Sequence, residues 1–128
     1  MALVIDLKPK EKIIVGSAVI TNDNQRTRLH IEGDAPILRE KDVLREEDAT
    51  SPCKRIYYII QLMYLAKDAT EIYDMYFAAV REVQDAAPST ALYMADISQH
   101  ILGGHYYKAL REARKLIDYE QELMANVQ

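Results

Sequence analysis

The stretch TSPCKRIYYIIQLMYL, residues 50–65, decides how this chain folds. Ser51 can accept hydrogen bonds from the unpaired amides of a first helical turn, and Pro52 supplies a suitable φ where no amide donor is needed. Beyond Arg55, apolar side chains fall on every side of the predicted helix rather than along one stripe. Such a helix is usually buried on most sides, and it is too short for a bilayer, which takes about 20 apolar residues. The sequence predicts a central helix against which the other elements pack, with only its first turn, residues 53–55, open to a ligand.

The residues before the central helix have the short, alternating pattern of β-strands. Asn22 and Asp23 lie in a predicted hairpin turn, since both residue types tolerate left-handed backbone and bond their own main chain. The predicted strands are residues 3–7, 12–15, 17–21, 27–32 and 37–39. We therefore expect a small antiparallel β-sheet of four or five strands within a β-rich subregion, residues 1–49.

The remainder, residues 50–128, has helical spacing. A polar break at residues 67–70, Pro88 and the pair Gly103-Gly104 divide it into four helices. Apolar residues of the third helix lie on two adjacent faces, Leu92-Ala95-Gln99-Leu102 and Tyr93-Ile97-Ile101. The predicted fold class is α+β, a small N-terminal antiparallel sheet followed by a four-helix C-terminal bundle, and we expect residues 1–128 to form a single domain.

Composition limits the classes of protein that this chain can represent. A net charge of −4 argues against a protein that coats nucleic acid with a large basic surface, so any RNA affinity must come from a local patch. Cys53 is the only cysteine, which leaves no intrachain disulfide and fits a reducing cytosol. The chain does not open with the pattern of a secretory signal. We therefore expect a cytoplasmic protein that does not associate with a membrane.

No residue pattern predicts catalysis. The three histidines, His30, His100 and His105, lack the spacing of a zinc site, and no cysteine accompanies them in a motif. The serines do not lie in a Gly-x-Ser-x-Gly elbow, and the glycines do not form a phosphate-binding loop. We expect a protein that is not an enzyme and that uses no metal and no cofactor.

Nine tyrosines against one phenylalanine and no tryptophan is the most unusual feature of the composition. Tyrosine suits surfaces that are half-buried, and its ring can also stack on a nucleic-acid base. Because most of the tyrosines occur at helical spacing, packing in the core or at an interface is favoured over base stacking.

Basic residues form two candidate patches, whose guanidinium and ammonium groups suit phosphate. On the predicted sheet, Arg26 and Arg28 share a strand face with His30, and we expect Lys10 or Lys12 beside them on the facing hairpin arm. The secondary patch is helical and comprises Lys54, Arg55, Lys108, Arg111 and Lys115. For the last three residues a solvated face balanced by carboxylates remains an alternative. Lys54 and Arg55 lie where the helix dipole disfavours cations, which favours a partner such as Glu46, Glu47 or an external anion.

Four motifs, spread over nearly the whole chain, carry a family resemblance. They are LKP-x-EK from residue 7, APILREKD from residue 35, TSPCKRIY from residue 50 leading into LMYL, and YYKALR from residue 106. In this order they resemble the FlbT family, small bacterial proteins that control flagellin production after transcription. The family usually has alanine and then arginine after the proline of the third motif, where this chain has Cys53 and Lys54.

The resemblance implies binding to the 5′ untranslated region of flagellin messenger RNA, which lowers its translation and stability in some bacteria and favours flagellin synthesis in others. The N-terminal third is also similar, more weakly, to the carbon storage regulators, β-sheet proteins that bind messenger RNA leaders. That similarity rests on Glu11 with Gly16, then Ala35-Pro36 and Arg39-Glu40, with a tighter Pro36–Arg39 spacing and no counterpart for the helices. It implies RNA contacts on the sheet. The RNA-binding candidates are, in order, Arg28, Arg39, Lys41, Arg26, Lys10 and Lys12.

A second hypothesis belongs to another class of protein. A protein-binding adaptor would use the helical bundle to hold flagellin, another flagellar regulator or a second copy of itself, because tyrosines and an apolar helix face suit such a groove. A homo-oligomer is compatible with both hypotheses.

Overall fold

The computed structural model describes residues 2–126, and in them five strands precede four α-helices. The elements are β1 Leu3–Leu7, β2 Lys12–Val15, β3 Ala18–Thr21, β4 Thr27–Ile31, β5 Ile37–Arg39, α1 Pro52–Leu65, α2 Tyr73–Ala86, α3 Ala91–Leu102 and α4 Tyr106–Ala125. The predicted α+β class, strands first and helices after, is confirmed. The chain divides between Val43 and Leu44 into two compact units, which we call the β unit and the helical unit. No helix in the described residues is long and apolar enough to cross a membrane.

The strands form two sheets rather than one. β1 pairs antiparallel with β4, while β2 lies between β3 and β5 in the second sheet. The predicted hairpin at residues 22–25 is therefore wrong, because that turn connects strands of different sheets. Asn22 Nδ2 instead donates to the carbonyl oxygens of Lys8 and Gln25, each at 2.8 Å. The Asn22 side chain thus fastens this turn to the end of β1.

One face of the β1–β4 pair is apolar and the other is charged. Ile5 and Leu7 are buried with Ile13 of β2, and the partly buried residues packed against them are Val15, Leu29, Ile31 and Ile37. Asp6 lies opposite Arg28 in the register. Since successive side chains of a strand alternate between faces, that pair lies on the exposed side.

The helical unit is built around α1, as predicted. Ser51 Oγ accepts a hydrogen bond from the amide of Lys54 at 3.2 Å, and Pro52 is the first helical residue. The buried residues of α1 are Cys53, Ile56, Tyr57, Ile59, Ile60, Gln61 and Met63. Cys53 is only 2% exposed, so the prediction of an open first turn is wrong at that residue. Cys53 is covered because its helix end meets the side chain of Glu120 from α4.

Of the two apolar faces of α3, the unit buries the one that contains Ile97 and Ile101, together with Met94. Leu92 and Leu102 of the other face are 81% and 68% exposed. Pairwise helix contacts join α1 to α2 and α4, and α3 to α4. A continuous apolar interior therefore coexists with an apolar stripe on the surface of α3.

Tyrosine hydroxyls connect the helices. The pairs are Tyr76 with Ser98 at 2.8 Å, Tyr73 with Tyr106 at 3.1 Å, and Tyr119 with Ser89 at 2.6 Å. The Tyr76 side chain is fully buried, and burial raises its pKa to about 12. These contacts place the tyrosine rings in helix packing, which is the interpretation that the sequence favours.

Candidate nucleic-acid interface

An ion pair occupies the exposed face of the β1–β4 sheet. Arg28 Nε donates to Asp6 Oδ1 at 2.8 Å, and the two side chains are 65% and 63% exposed. The antiparallel register makes this pair, since it places the two residues directly opposite each other. The hydrogen bond from Arg28 and its positive charge hold the pKa of Asp6 below its usual value, and the carboxylate raises the pKa of Arg28.

Two further arginines lie close enough to Asp6 to act on it electrostatically. Arg39 and Arg26 both lower the pKa of Asp6 by their charge, after the larger effects of Arg28. We call Arg26, Arg28 and Arg39 the arginine cluster. Three guanidinium charges against one carboxylate leave this surface positive although the chain as a whole is acidic. A local basic patch of this kind is what an acidic protein needs to hold a nucleic acid.

An open cleft of about 320 Å³ lies beside the Asp6–Arg28 ion pair. The lining residues are Asp6, Leu7, Arg26, Thr27 and Arg28. The Asp6 and Arg28 side chains lie on the exposed sheet face at this cleft, whereas the Leu7 side chain is buried on the opposite face. A cleft lined in this way has room for a small polar group and directs hydrogen-bond donors towards it.

Arg39 has a different environment from the other two arginines. It lies opposite Ile13 in the β2–β5 register and is half-buried. Its Nη2 donates to the main-chain oxygen of Asp6 at 3.1 Å, and its Nε is buried without a hydrogen-bond partner among the described residues. Arg39 therefore connects β5 to β1 and presents less of its guanidinium to solvent than Arg28 does.

The three predicted lysines are separate from the ion pair. Lys10 Nζ lies 3.6 Å from Asp23 Oδ1, Lys12 is exposed at the start of β2, and Lys41 is exposed in a 3₁₀ turn at Glu40–Asp42. We expected a facing hairpin arm to bring Lys10 or Lys12 beside Arg28. That arrangement is wrong, because the partner of β4 is β1.

The N-terminus of α1 is closed by a residue that sequence reasoning missed. Glu120 of α4 accepts from Ser51 Oγ at 2.5 Å through one oxygen and from the Cys53 amide at 3.1 Å through the other. Burial and this carboxylate raise the pKa of Cys53 to about 12. Because an internal anion satisfies the helix end, it has little capacity left for an external phosphate. In the sequence Glu120 is 67 residues from Cys53 and looks like any other solvated carboxylate of α4.

Glu47, one of the carboxylates expected to pair with Lys54 or Arg55, pairs with Arg45 instead. Glu47 lies 3.0 Å from Arg45, whose pKa is raised by Asp48 and Glu47. Arg55 pairs instead with Glu82 of α2 at 3.1 Å.

The other members of the secondary patch lie along the exposed side of α4. Lys115 pairs with Glu112 at 3.1 Å, and Lys108 and Arg111 are exposed. Arg114, a further cation of the predicted patch on α4, has its guanidinium 5.2 Å from the ring centre of Tyr57. This surface alternates cations with carboxylates. Within residues 2–126 no group of three or more His, Cys, Asp or Glu side chains could hold a metal ion.

Comparison with known proteins adds independent evidence. The family profile described as flagellar protein FlbT matches residues 3–124. The probable flagellum biosynthesis repressor protein FlbT of Rhodopseudomonas palustris strain TIE-1 is 49% identical over 125 residues, covering 98% of this chain and 99% of the relative. A protein of that name, FlbT 1, from Bradyrhizobium diazoefficiens is 48% identical over 124 residues, covering 96% and 85%.

A relative with lower sequence identity also matches nearly the whole chain. The flagellum biosynthesis repressor protein FlbT of Caulobacter vibrioides strain ATCC 19089 is 34% identical over 130 residues, covering 99% of this chain and 92% of the relative. No solved structure matches the chain.

Proposed function

The chain belongs to the FlbT family of flagellar proteins, and on this premise we propose that it regulates flagellin synthesis after transcription by binding the 5′ untranslated region of flagellin messenger RNA. The names of its relatives describe them as repressors of flagellum biosynthesis, which supports a regulatory role here. The protein acts in the cytoplasm, where messenger RNA is translated, and it acts by binding rather than by catalysis, without a cofactor.

The arginine cluster beside an open cleft is the observation that carries this proposal. Arg28 and Arg26 line the cleft from an exposed sheet face, so a nucleic-acid strand can reach both without any rearrangement of the core. Proteins that recognise RNA sequence mostly contact unpaired bases in loops or at ends, where base edges are accessible. A flat sheet face with arginines and a small cleft suits that kind of RNA better than a long duplex.

Charge distribution supports the assignment to the β unit. Arg26 makes no hydrogen bond or ion pair in the described part of the chain, and Arg28 is held through one nitrogen only. In the helical unit, by contrast, Arg55 and Lys115 each pair with a carboxylate. Arg26 and Arg28 therefore keep guanidinium donors available beside the cleft.

Fluorescence anisotropy with a labelled flagellin leader RNA tests the proposal. We expect Arg28→Ala to weaken binding by about tenfold and Arg26→Ala to lower the dependence of log Kd on log salt by about one, which corresponds to one lost phosphate contact. The matched control is Arg55→Ala, which removes the same charge from the helical unit and is expected to leave both quantities unchanged. Equal affinity and equal salt slope for all three variants and the unaltered protein would reject the arginine cluster as the RNA site.

One observation favours the adaptor as a second candidate function. Leu92 and Leu102 are both exposed on the apolar stripe of α3 that the unit does not bury, and an exposed apolar helix face can receive an amphipathic partner helix. Flagellin or another flagellar regulator is the partner that this hypothesis proposes. Co-purification with flagellin that is lost in Leu92→Glu, together with failure to bind leader RNA at low salt, would favour the adaptor.

A further inference from the structure

The Asp6–Arg28 pair raises a question that RNA binding in general does not answer. An arginine that serves only to attract phosphate gains nothing from a carboxylate at 2.8 Å, since the carboxylate cancels its charge and repels the phosphate. The two side chains are nevertheless placed opposite each other by the register and share the rim of the cleft. The positions of the Arg28 donors, rather than the charge of the pair, therefore indicate which group the pair binds.

We propose that the Asp6–Arg28 pair recognises a guanine base of unpaired RNA in the adjacent cleft, while Arg26 binds the backbone phosphate. The inference rests on the RNA-binding function proposed above and specifies which part of the RNA each arginine contacts.

Arg28 is arranged to present a fixed pair of donors. Its Nε is bonded to Asp6 Oδ1, which restricts rotation of the planar guanidinium. Among the described residues Arg28 has no second hydrogen-bond partner, and its side chain is 65% exposed. Its two terminal nitrogens thus remain available as a preoriented fork at the cleft.

Guanine is the base that matches such a fork. Its N7 and O6 are two neighbouring acceptors, and a bidentate arginine contact to them is the commonest specific contact between arginine and a base. Adenine presents a donor, its N6 amino group, in place of O6, and the pyrimidines have no second adjacent acceptor on that edge. On that edge a guanidinium therefore makes two hydrogen bonds with guanine and at most one with the other bases.

The cleft and Arg26 complete the site. The volume of about 320 Å³ lies at the lower end of the range of about 300–1,000 Å³ that is typical of small-molecule sites, which suits one base rather than a folded ligand. Arg26 precedes Thr27 and has no carboxylate bonded to it among residues 2–126, so its full charge is available for phosphate.

The experiment compares leader transcripts that differ in one ring atom. One flagellin leader RNA is transcribed with guanosine and another with 7-deazaguanosine, which lacks N7 but keeps Watson–Crick pairing. We expect the full-length protein to bind the 7-deazaguanosine transcript about tenfold more weakly, as one lost bidentate contact predicts. A transcript with 7-deazaadenosine is the control for the RNA and is expected to bind as the unmodified one does.

Two variants then test whether Arg28 causes the difference in affinity between the transcripts. Arg28→Ala removes the guanidinium, and we expect this variant to bind the two transcripts with equal affinity. Arg26→Ala is expected to weaken binding to both transcripts by the same factor and to keep the tenfold ratio. This difference between the two variants separates base recognition from phosphate attraction.

The outcomes distinguish the two proposals. If the unaltered protein binds the leader but does not discriminate between the transcripts, or if Arg28→Ala keeps the tenfold ratio, the guanine inference is overturned while the RNA-binding function stands. If the unmodified leader is not bound at low salt, the proposed function fails, and the guanine inference fails with it.

Discussion

The β unit and the helical unit each place one carboxylate among positively polarised groups, with opposite results. In the β unit Asp6 bonds one nitrogen of Arg28 and leaves the rest of an exposed guanidinium available. In the helical unit Glu120 uses both oxygens, on the Ser51 hydroxyl and the Cys53 amide, and closes the N-terminus of α1. The comparison teaches that the number of cations in a region matters less than how many of their donors are already occupied.

The same difference suggests distinct roles for the two units, one in recognition and one in structural support. The stretch that identifies the family, residues 50–65, forms the buried centre of the helical unit, and Ser51, Arg55 and Gln61 are hydrogen-bonded within that unit. The residues that are available to a ligand lie on the strands that precede it. We therefore attribute recognition to the β unit and structural support to α1.

The largest expected effect concerns the thiol of Cys53, which tests whether the end of α1 is closed. Its pKa of about 12, against 9.0 for an unperturbed thiol, lowers the thiolate fraction at neutral pH by about a thousandfold. We expect alkylation by iodoacetamide to be slower than in the guanidinium-unfolded protein by at least that factor, since Cys53 is also buried. Comparable rates in the two states would show an open first turn and would break the contrast between Glu120 and Asp6.

Truncation of the two cores is expected to have the next largest effect. Ile60 of α1 and Ile13 of β2 are both 0% exposed. Ile60→Ala is expected to lower the free energy of unfolding by about 2–5 kcal/mol, and Ile13→Ala by an amount in the same range. Urea unfolding followed by circular dichroism measures both, and because the sequence predicts one domain, we expect a single transition for each variant. Two transitions, each shifted by only one of the variants, would contradict that prediction.

Leu92→Ala is the matched control for these truncations. Leu92 is 81% exposed on α3, so removing the side chain is expected to change the free energy of unfolding by less than about 0.5 kcal/mol. A cost near that of Ile60→Ala would mean that this apolar face is covered in solution.

Glu120→Ala is expected to have a smaller effect than core truncation. The substitution removes the acceptor of two hydrogen bonds at the N-terminus of α1, and bonds to a charged group contribute about 1.5–3 kcal/mol each at most. We expect the free energy of unfolding to fall by about 2–3 kcal/mol in urea denaturation. The control is Glu122→Ala, an exposed carboxylate of the same helix, for which a change below about 0.5 kcal/mol is expected. If the two variants lost equal stability, the cap would have no special role.

Local sequence signals were sufficient to predict the helices and strands. They were insufficient to predict which strands pair with each other. Ser51 and Pro52 fixed the start of α1 because a helix cap is satisfied within a few residues. The pairing of β1 with β4 depends on contacts between residues more than 20 positions apart, such as Asp6 with Arg28, which no local pattern records. The Asn22 turn looked like a hairpin for that reason.

The two apolar faces of α3 illustrate a second limit of prediction from sequence. Helical periodicity gives two apolar stripes there, and the stripe that is buried depends on which side α4 packs against. The candidate site shows the same dependence on tertiary structure. Arg28 and Arg26 could be named from the sequence, whereas the carboxylate that orients Arg28, like the one that closes α1, comes from a distant element.

The smallest expected effect is the contribution of Asp6 to stability, which completes the contrast with Glu120. Arg28 lowers the pKa of Asp6 in the folded protein, so the pair stabilises the fold above the unfolded-state pKa of about 3.9, and this contribution is lost as the pH falls through the lower folded-state value. Because both side chains are well exposed, solvent screening keeps the effect small. Thermal unfolding of Asp6→Asn should therefore differ from that of the unaltered protein slightly at neutral pH and not at all in strong acid. Asp34→Asn, which alters an exposed carboxylate with no ion pair among residues 2–126, is expected to show no such pH-dependent difference. A large loss of stability in Asp6→Asn at neutral pH would mean that Asp6, like Glu120, supports the fold rather than orienting Arg28 for a ligand.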